Sequence, residues 1–317
     1  MRTRFADPIR ASSPSGLREQ AGHMTASDFC AAREVISCQA GGHPHMRRRE
    51  FIALLGGAAA AWPLASLCAA GLWQPALAQS STTQDEMQAL APTGKLRAAL
   101  YLGGPTNVVQ GPSGEMTGVG YELGRELARR MGIPYEPVIY QTPKRLIEDI
   151  NSGKWDISFI AQDADREKIL DFTGVYLRLE HGYLVPNGST IQTISEVDRP
   201  GIRVGVPAGG SVIPPLKRTL KDAQIVEVAM PDAADLVKSG KVDVFAANKA
   251  NLFAIADKLP GSRVLEGRFS VDSFALGLPK GRQAGLAYAR KFIENAKAEG
   301  LVKSAAEKAG VRGAVQE

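Results

Sequence analysis

Two phrases of this chain match in order and in chemistry: SGKWDISFIAQ, Ser152 to Gln162, and SGKVDVFAANK, Ser239 to Lys249. In each, a helical-looking segment stops at Ser-Gly-Lys and one bulky apolar residue follows. An Asp then opens a β-favouring run that reaches an amide. A repeat of this kind constrains the fold, because it places the same helix stop and strand entry at two points of the chain.

The segments before each phrase carry the same grammar. KLRAALYL reads as a strand. GYELGRELARRMG carries Leu123, Leu127 and Met131 at i, i+4 and i+8, which predicts an amphipathic helix with Gly132 as its cap. YEPVIY is a strand, and Thr142 followed by Pro143 opens a helix that runs to Asn151 and closes at Gly153. DISFIA returns to β. After EHGYLVPNGS the pattern restarts with GIRVGV, SVIPPLKRTLKDA, QIVEVAM, PDAADLVKSG and KVDVFAAN. Repeated β-α-β units with right-handed crossovers give parallel-rich sheets. The expected fold class is therefore α/β, with two lobes of like topology that turn their strand C-terminal ends toward a shared cleft.

Composition narrows the function. The 317 residues are 44% hydrophobic and 22% charged, enough for one large core or two modest ones. The formal charge is +5, but residues 1–78 carry 8 Lys/Arg against 5 Asp/Glu, so residues 79–317 carry 30 against 28. No basic cluster with interleaved aromatics remains, and nucleic acid is not an expected partner.

The division at residue 78 rests on MRRREFIALLGGAAAAWPLASLCAAGLWQPALAQS. Basic Arg47 to Arg49 precede an uncharged run from Phe51, and Ala76-Leu77-Ala78 has the small-x-small form of a cleavage site. The expected segments are a non-structural extension or misplaced start over 1–45, a signal peptide over 46–78 cleaved after Ala78, and a flexible linker over 79–93. Arg48-Arg49 also has twin-arginine form, which implies export in the folded state. An uncleaved anchor is the competing reading, weakened by Gly56, Gly57 and Pro63. Cys30, Cys38 and Cys68 precede the cut, as do three of the four histidines, leaving His181. A mature chain without cysteine has no disulfide, thiolate nucleophile or cysteine metal site, so neither a metal nor a cofactor is expected. With one histidine and no G-x-S-x-G elbow, a Ser-His-Asp hydrolase is disfavoured.

Over residues 94–310 the chain resembles the family 3 extracellular solute-binding proteins of ABC importers. The matching phrases are GKLRAAL, GEMTGVGYELGRELARRMGI, LIEDINSGKWDISFIA, DREKILDFTGVYL, GIRVGVPAGGS and SGKVDVFAAN. The resemblance implies a two-lobed periplasmic binding protein fold of type II form, with two parallel-rich sheets joined by a two-strand hinge. Crossings are expected near GYLVPN and SFALGLP, giving lobe 1 as 94–183 plus 275–317 and lobe 2 as 186–271. It further implies a periplasmic, monomeric binding protein that catalyses nothing. Such a protein captures a small carboxylate or amino-acid-like solute and delivers it to an inner-membrane ABC permease.

Site residues follow position by position. Arg166 matches the family arginine that holds the ligand α-carboxylate, a role suited to a planar fork of donors. Asp163, three residues earlier, can orient that fork. Gly210, Ser211 and Val212 match the strand-to-helix turn that offers N–H groups and a hydroxyl to the same carboxylate. Gln162 is expected beside them. Two departures stand out. Asn248 occupies the position where amino-acid binders place an Asp for the α-ammonium, so carboxylates without an adjacent cation are expected to bind better, unless another acid such as Asp163 takes that role. The first loop, YLGGPTNVVQG, lacks the family's side-chain clamps, and Asn107 is its expected ligand-facing group. The alternative is an enzyme resembling the cyclohexadienyl dehydratases, with Asp163 as the candidate general acid.

Overall fold

In a computed structural model of the protein, residues 83–315 are described. The 1–45 extension, the Arg48-Arg49 pair and the cleavage site at Ala78 lie outside them. Among the described residues no helix is long and apolar enough to cross a membrane.

Residues 83–90 are helical. This differs from the expected linker over 79–93, because Leu90 and Ala91 supply apolar surface that is buried in the first lobe. The backbone there lies so close to the C-terminal helices that a Cβ on Gly285 would sit 2.9 Å from the Leu90 nitrogen.

The first lobe starts with β1 (Leu96–Tyr101) and the short hairpin of β2 (Val109–Gln110) and β3 (Met116–Thr117). Helix α1 (Val119–Met131) ends as predicted on Gly132 in the left-handed region, φ 68°. There follow β4 (Tyr135–Tyr140), α2 (Pro143–Glu148) and β5 (Ile157–Ala161). The Thr142 hydroxyl caps α2 by accepting from the Arg145 N–H, but the helix is shorter than its apolar pattern suggested and tightens into a 3-10 turn over Ile150–Ser152. A short strand, β6 (Leu170–Phe172), precedes the crossing strand β7 (Leu177–Val185).

The second lobe repeats this with β8 (Arg203–Pro207), α3 (Ile213–Thr219), β9 (Gln224–Val228), α4 (Ala233–Lys238) and β10 (Val244–Asn248). Helix α5 (Lys249–Ala256) follows β10 directly, then β11 (Arg263–Val264). The chain returns through β12 (Ser270–Pro279) to α6 (Gln283–Ala298) and α7 (Leu301–Lys308) on the first lobe.

Strand order runs β4-β1-β5-β12-β7-β10-β8-β9. The triplets β4-β1-β5 and β9-β8-β10 share one topology, parallel throughout, second strand beside first beside third. The antiparallel crossing strands link them, so the expected pair of sheets forms one curled sheet that passes through the hinge. Side chains alternate between two faces, as a strand period of two requires. In β1, Leu96, Ala98 and Leu100 face one core of the first lobe while Ala99 and Tyr101 face the other; in β10, Val244 and Ala246 oppose Phe245 and Ala247 in the same way.

The repeated phrase is a clasp. In the first lobe, Asp156 accepts from the Arg97 backbone N–H at 3.1 Å, from Nε at 2.9 Å and from Nη2 at 2.7 Å, while Arg97 Nη1 donates to the Gly153 carbonyl at 2.6 Å. In the second, Asp243 accepts from Arg203 N–H, Nε and Nη2 at 2.8, 2.9 and 2.8 Å, and Nη2 also donates to the Gly240 carbonyl at 2.6 Å. Both glycines stand at positive φ, 68° and 65°, which turns their carbonyls toward the arginine. Each Asp thereby fixes the entry of the last strand of its triplet against the first.

The clasps differ in burial. The Asp156 side chain is fully buried and also receives Arg282, whereas that of Asp243 is 32% exposed. Breaking a buried pair strands its partner charge, while an exposed pair contributes little. Asp156→Asn should therefore cost about 3–5 kcal/mol of unfolding free energy, and Asp243→Asn at most about 1 kcal/mol, measured by urea denaturation. The Arg203 hydrogen bonds hold the Asp243 carboxyl below its usual range. Its contribution is present above the unfolded-state pKa of about 4 and is lost as pH falls through the lower folded value. The gap between wild type and Asp243→Asn should accordingly close on acidification.

Candidate functional site

The C-terminal ends of the triplet strands converge on a cleft between the lobes. Tyr101 comes from the end of β1, and the loop after β5 carries Arg166. Pro207 ends β8 and leads into Gly210, Ser211 and Val212, while β10 delivers Ala247 and Asn248. The floor is made by the crossing strands, through His181 and Asp272.

Arg166 is 6% exposed and sits where its loop tightens into a 3-10 turn. Asp163 holds it: one oxygen accepts from the Arg166 backbone N–H at 3.0 Å, and the other lies 3.2 Å from Nε. Arg166 Nη1 donates to the Ala161 carbonyl at 2.6 Å, and Nη2 crosses the cleft to the Gly209 carbonyl at 2.8 Å. A guanidinium carries five N–H groups. One hydrogen on each Nη is thus uncommitted among the described residues.

The glycine turn opposite differs in detail from the expected long helix. Pro214 and Pro215 remove two donors from the first turn of α3, the Ile213 N–H donates to the Gly210 carbonyl, and the Gly210 N–H to the Pro207 carbonyl. The donors left to face the cleft are the Ser211 hydroxyl and the backbone N–H groups of Ser211 and Val212.

Of the eight residues expected at the site, Arg166, Gly210, Ser211, Val212 and Asn248 line one cavity. Three do not. Asp163 lines a separate outer groove of about 490 Å³, together with Lys144 and Lys217. Gln162 turns away, donating from Nε2 to Glu167 at 2.7 Å. Asn107 is fully buried: Oδ1 accepts from the Tyr101 N–H at 2.8 Å and Nδ2 donates to the Phe159 carbonyl. It ties the first loop to β1 and β5, and a buried amide so used is a structural group. Asn248 is in the cavity, yet its Oδ1 accepts from the Asn251 N–H at 3.0 Å as the N-cap of α5.

Sequence reasoning missed His181 and Asp272 as a pair. His181 stands opposite Ser270 in the β7–β12 register, with Nδ1 2.6 Å from the Ser270 hydroxyl and Nε2 3.3 Å from Asp272 Oδ2. The available signal was an Asp two residues after Ser270, at the head of the apolar run Phe274 to Leu278. Burial, and then the Asp272 charge, raise the pKa of the Tyr101 phenol, which places that carboxylate close to the ring.

The lobes are closed on one another. Besides Arg166 to Gly209, the Lys144 N–H donates to the Ala208 carbonyl at 3.3 Å. Glycine makes the approach possible: at Gly209, with φ 70°, a Cβ would lie 2.7 Å from Lys144 Cα, and at Gly104 it would collide with Asn251 Oδ1. Gly104→Ala should leave each lobe folded but hold them apart, giving a larger radius of gyration by small-angle X-ray scattering than wild type under the same conditions. An unchanged radius would show that the loop yields instead.

Two lobes of one topology, a hinge of two strands and a polar cleft across it define a solute-binding architecture. The chain belongs to the bacterial extracellular solute-binding proteins, family 3, whose sequence pattern matches residues 102–310. A glutamine-binding protein of Geobacillus stearothermophilus is 24% identical over 173 residues, covering 53% of this chain and 66% of that protein; the match thus spans just under two thirds of the relative's length. Among solved structures, a mutant of ArgBP from T. maritima superposes with a TM-score of 0.64 at 21% identity, covering 70% of this chain and 98% of that one. The ancestral amino acid-binding protein AncCDT-1, a precursor of cyclohexadienyl dehydratase, gives 0.62 at 22% identity over 70% and 98%. At these identities the two structures establish the shared fold.

Proposed function

We propose that this protein binds a small carboxylate-bearing solute between its lobes and delivers it to an ABC permease of the inner membrane, after export to the periplasm under the leader before residue 79. The observation that carries this reading is Arg166: a buried guanidinium, steered by Asp163, with one free N–H on each terminal nitrogen, in the same cavity as the Ser211 hydroxyl and the Val212 N–H. A carboxylate has two oxygens able to accept from both sides of such a cleft. The cavity between the closed lobes is about 20 Å³, so a solute enters as the lobes part and takes the place of the Arg166–Gly209 contact. Closure around it then joins the lobes through the ligand.

Family membership and the commitment of Asp163 to Arg166 both favour binding over elimination chemistry. The dehydratase alternative assigned that carboxylate to proton transfer, and it is engaged as the orienting partner of the arginine.

Native mass spectrometry of the purified protein should reveal a retained carboxylate. Arg166→Ala should weaken its binding by roughly 2–5 kcal/mol, about 30-fold or more, by calorimetry, with the fold intact by circular dichroism. Unchanged affinity in a folded variant would remove the arginine from the site.

A further inference from the structure

The last described residues of the chain pass from one lobe to the other without lining the cleft cavity. Helix α7 belongs to the first lobe: Val302 and Ala305 enter its core, and Lys308 pairs with Glu122 of α1 at 2.9 Å. Gly310, at φ 68°, stops the helix. The Val311 N–H then donates to the Ala306 carbonyl at 2.9 Å, and its side chain packs on the same first-lobe core. The next residue already holds the second lobe. Arg312 Nη2 donates to Asp257, just past α5, and the guanidinium lies 4.8 Å from the centre of the Phe253 ring. Helix α5 is part of the second lobe, whose core takes Leu252 and Ile255.

The tail then takes an edge of the hinge itself. Strand β7 pairs with β12 over Leu177 to His181 along one edge, and with β10 over His181 to Leu184 along the other. Before His181, that second edge is left uncovered by β10. Ala314 takes the place, forming an antiparallel bridge with Leu179, and the Val315 N–H donates to the Arg178 carbonyl at 3.0 Å. Between these contacts Gly313 stands at φ 78°, so near α5 that a Cβ would lie 2.7 Å from Lys249 Cβ. Glycine alone meets both the conformation and the space. Lys249 in turn donates to Glu180 of β7 at 2.5 Å. Helix α5 is thereby held at its start by the crossing strand and the tail backbone, and at its end by Arg312.

We propose that residues 311–315 are a strap across the hinge that favours the closed arrangement of the lobes. Val311 and Arg312 are consecutive yet fixed to different lobes, and neighbouring Cα atoms are only about 3.8 Å apart. With no slack between them, α5 cannot swing away from the first lobe without drawing Arg312 off Asp257 and Phe253, or Ala314 off β7. The same helix begins at the Asn248 cap and carries Asn251, both of which line the cleft, so the strap and that wall of the cleft move together. Each contact is modest alone: the Arg312 and Asp257 side chains are 47% and 62% exposed, and an exposed ion pair contributes little. Together with the ring contact and the sheet bridge they give the closed form an advantage that the open form lacks, which is what shifts a two-state balance. A solute that binds the closed form gains apparent affinity by the factor by which the strap raises the closed population. The device acts on any such solute and does not depend on the carboxylate reading.

The test is a pulsed double-resonance distance measurement on the full chain. Nitroxide labels on Glu148→Cys and Lys217→Cys, one on each lobe beside the outer groove, report the opening, with Cys30, Cys38 and Cys68 replaced by Ser. With the strap intact the short, closed distance should predominate. Ending the chain after Gly310 should raise the long-distance population about threefold or more. Gly313→Val should do the same, because it keeps the length of the tail but cannot sit beside Lys249. Arg312→Asp should also open the protein, and adding Asp257→Arg should return about half or more of the lost closed population, a rescue that general destabilisation would not give. Distance distributions unchanged by the truncation, in a protein folded by circular dichroism, overturn the proposal. So does an Arg312→Asp opening that Asp257→Arg leaves as it was. If the truncated chain does not fold, Gly313→Val and the charge exchange decide in its place.

Discussion

The arginine–aspartate clasp that each lobe repeats sets the geometry on which the rest depends. Arg97 grips Asp156, and Arg203 grips Asp243, each through backbone and side chain together. A parallel pair has no tight turn to fix its register. The clasp does that work by joining the start of the first strand to the entry of the third. Once the N-terminal ends are tied, the C-terminal ends come out level, and the loops that follow them meet at one edge. That edge is where α/β sheets place their ligand sites.

Two such edges face one another because β7 and β12 run antiparallel between the triplets. Every residue of the cleft therefore hangs from one of three sources: the ends of the first triplet, the ends of the second, or the crossing strands beneath. Arg166 and Ser211 belong to the first two and approach as the lobes close. Asp272 and His181 belong to the third and are present whether the lobes are open or shut. The two walls travel with their lobes, and the floor stays with the crossing strands. Gly104 and Gly209 permit the final approach, since any side chain there would meet the opposite lobe before the walls engaged.

Much of this was legible in the sequence, and unevenly so. The strand and helix succession, Gly132 as a cap, the Thr142–Pro143 opening and the equivalence of the two phrases follow from local periodicity and capping chemistry. Arg166, Ser211 and Val212 line one cavity, and each sits in a short local motif that the sequence displays: the arginine after Asp163, and the turn after Gly210. Asn107 and Gln162 were misplaced for the converse reason. A polar residue in a loop beside a strand end can face the ligand or turn back to satisfy its own backbone, and here a buried carbonyl and N–H claimed Asn107 while a nearby Glu167 claimed Gln162. Asn248 shows the same competition resolved in part, with its oxygen drawn to the helix it precedes.

The chain's own sequence determined the class of fold, the duplicated unit, the clasp partners and the loop that carries the arginine. These are short-range properties, written in apolar spacing, glycine stops and charges at strand entries. Tertiary structure alone decided that His181 stands opposite Ser270, that Asp272 lies beneath the cleft and that Asn251 faces Gly104. Those relations join residues far apart in the chain through the register of two crossing strands and the closure of two lobes. A one-residue slip in that register would turn Asp272 to the other face of the sheet, so its place is fixed by pairing and not by any pattern around it.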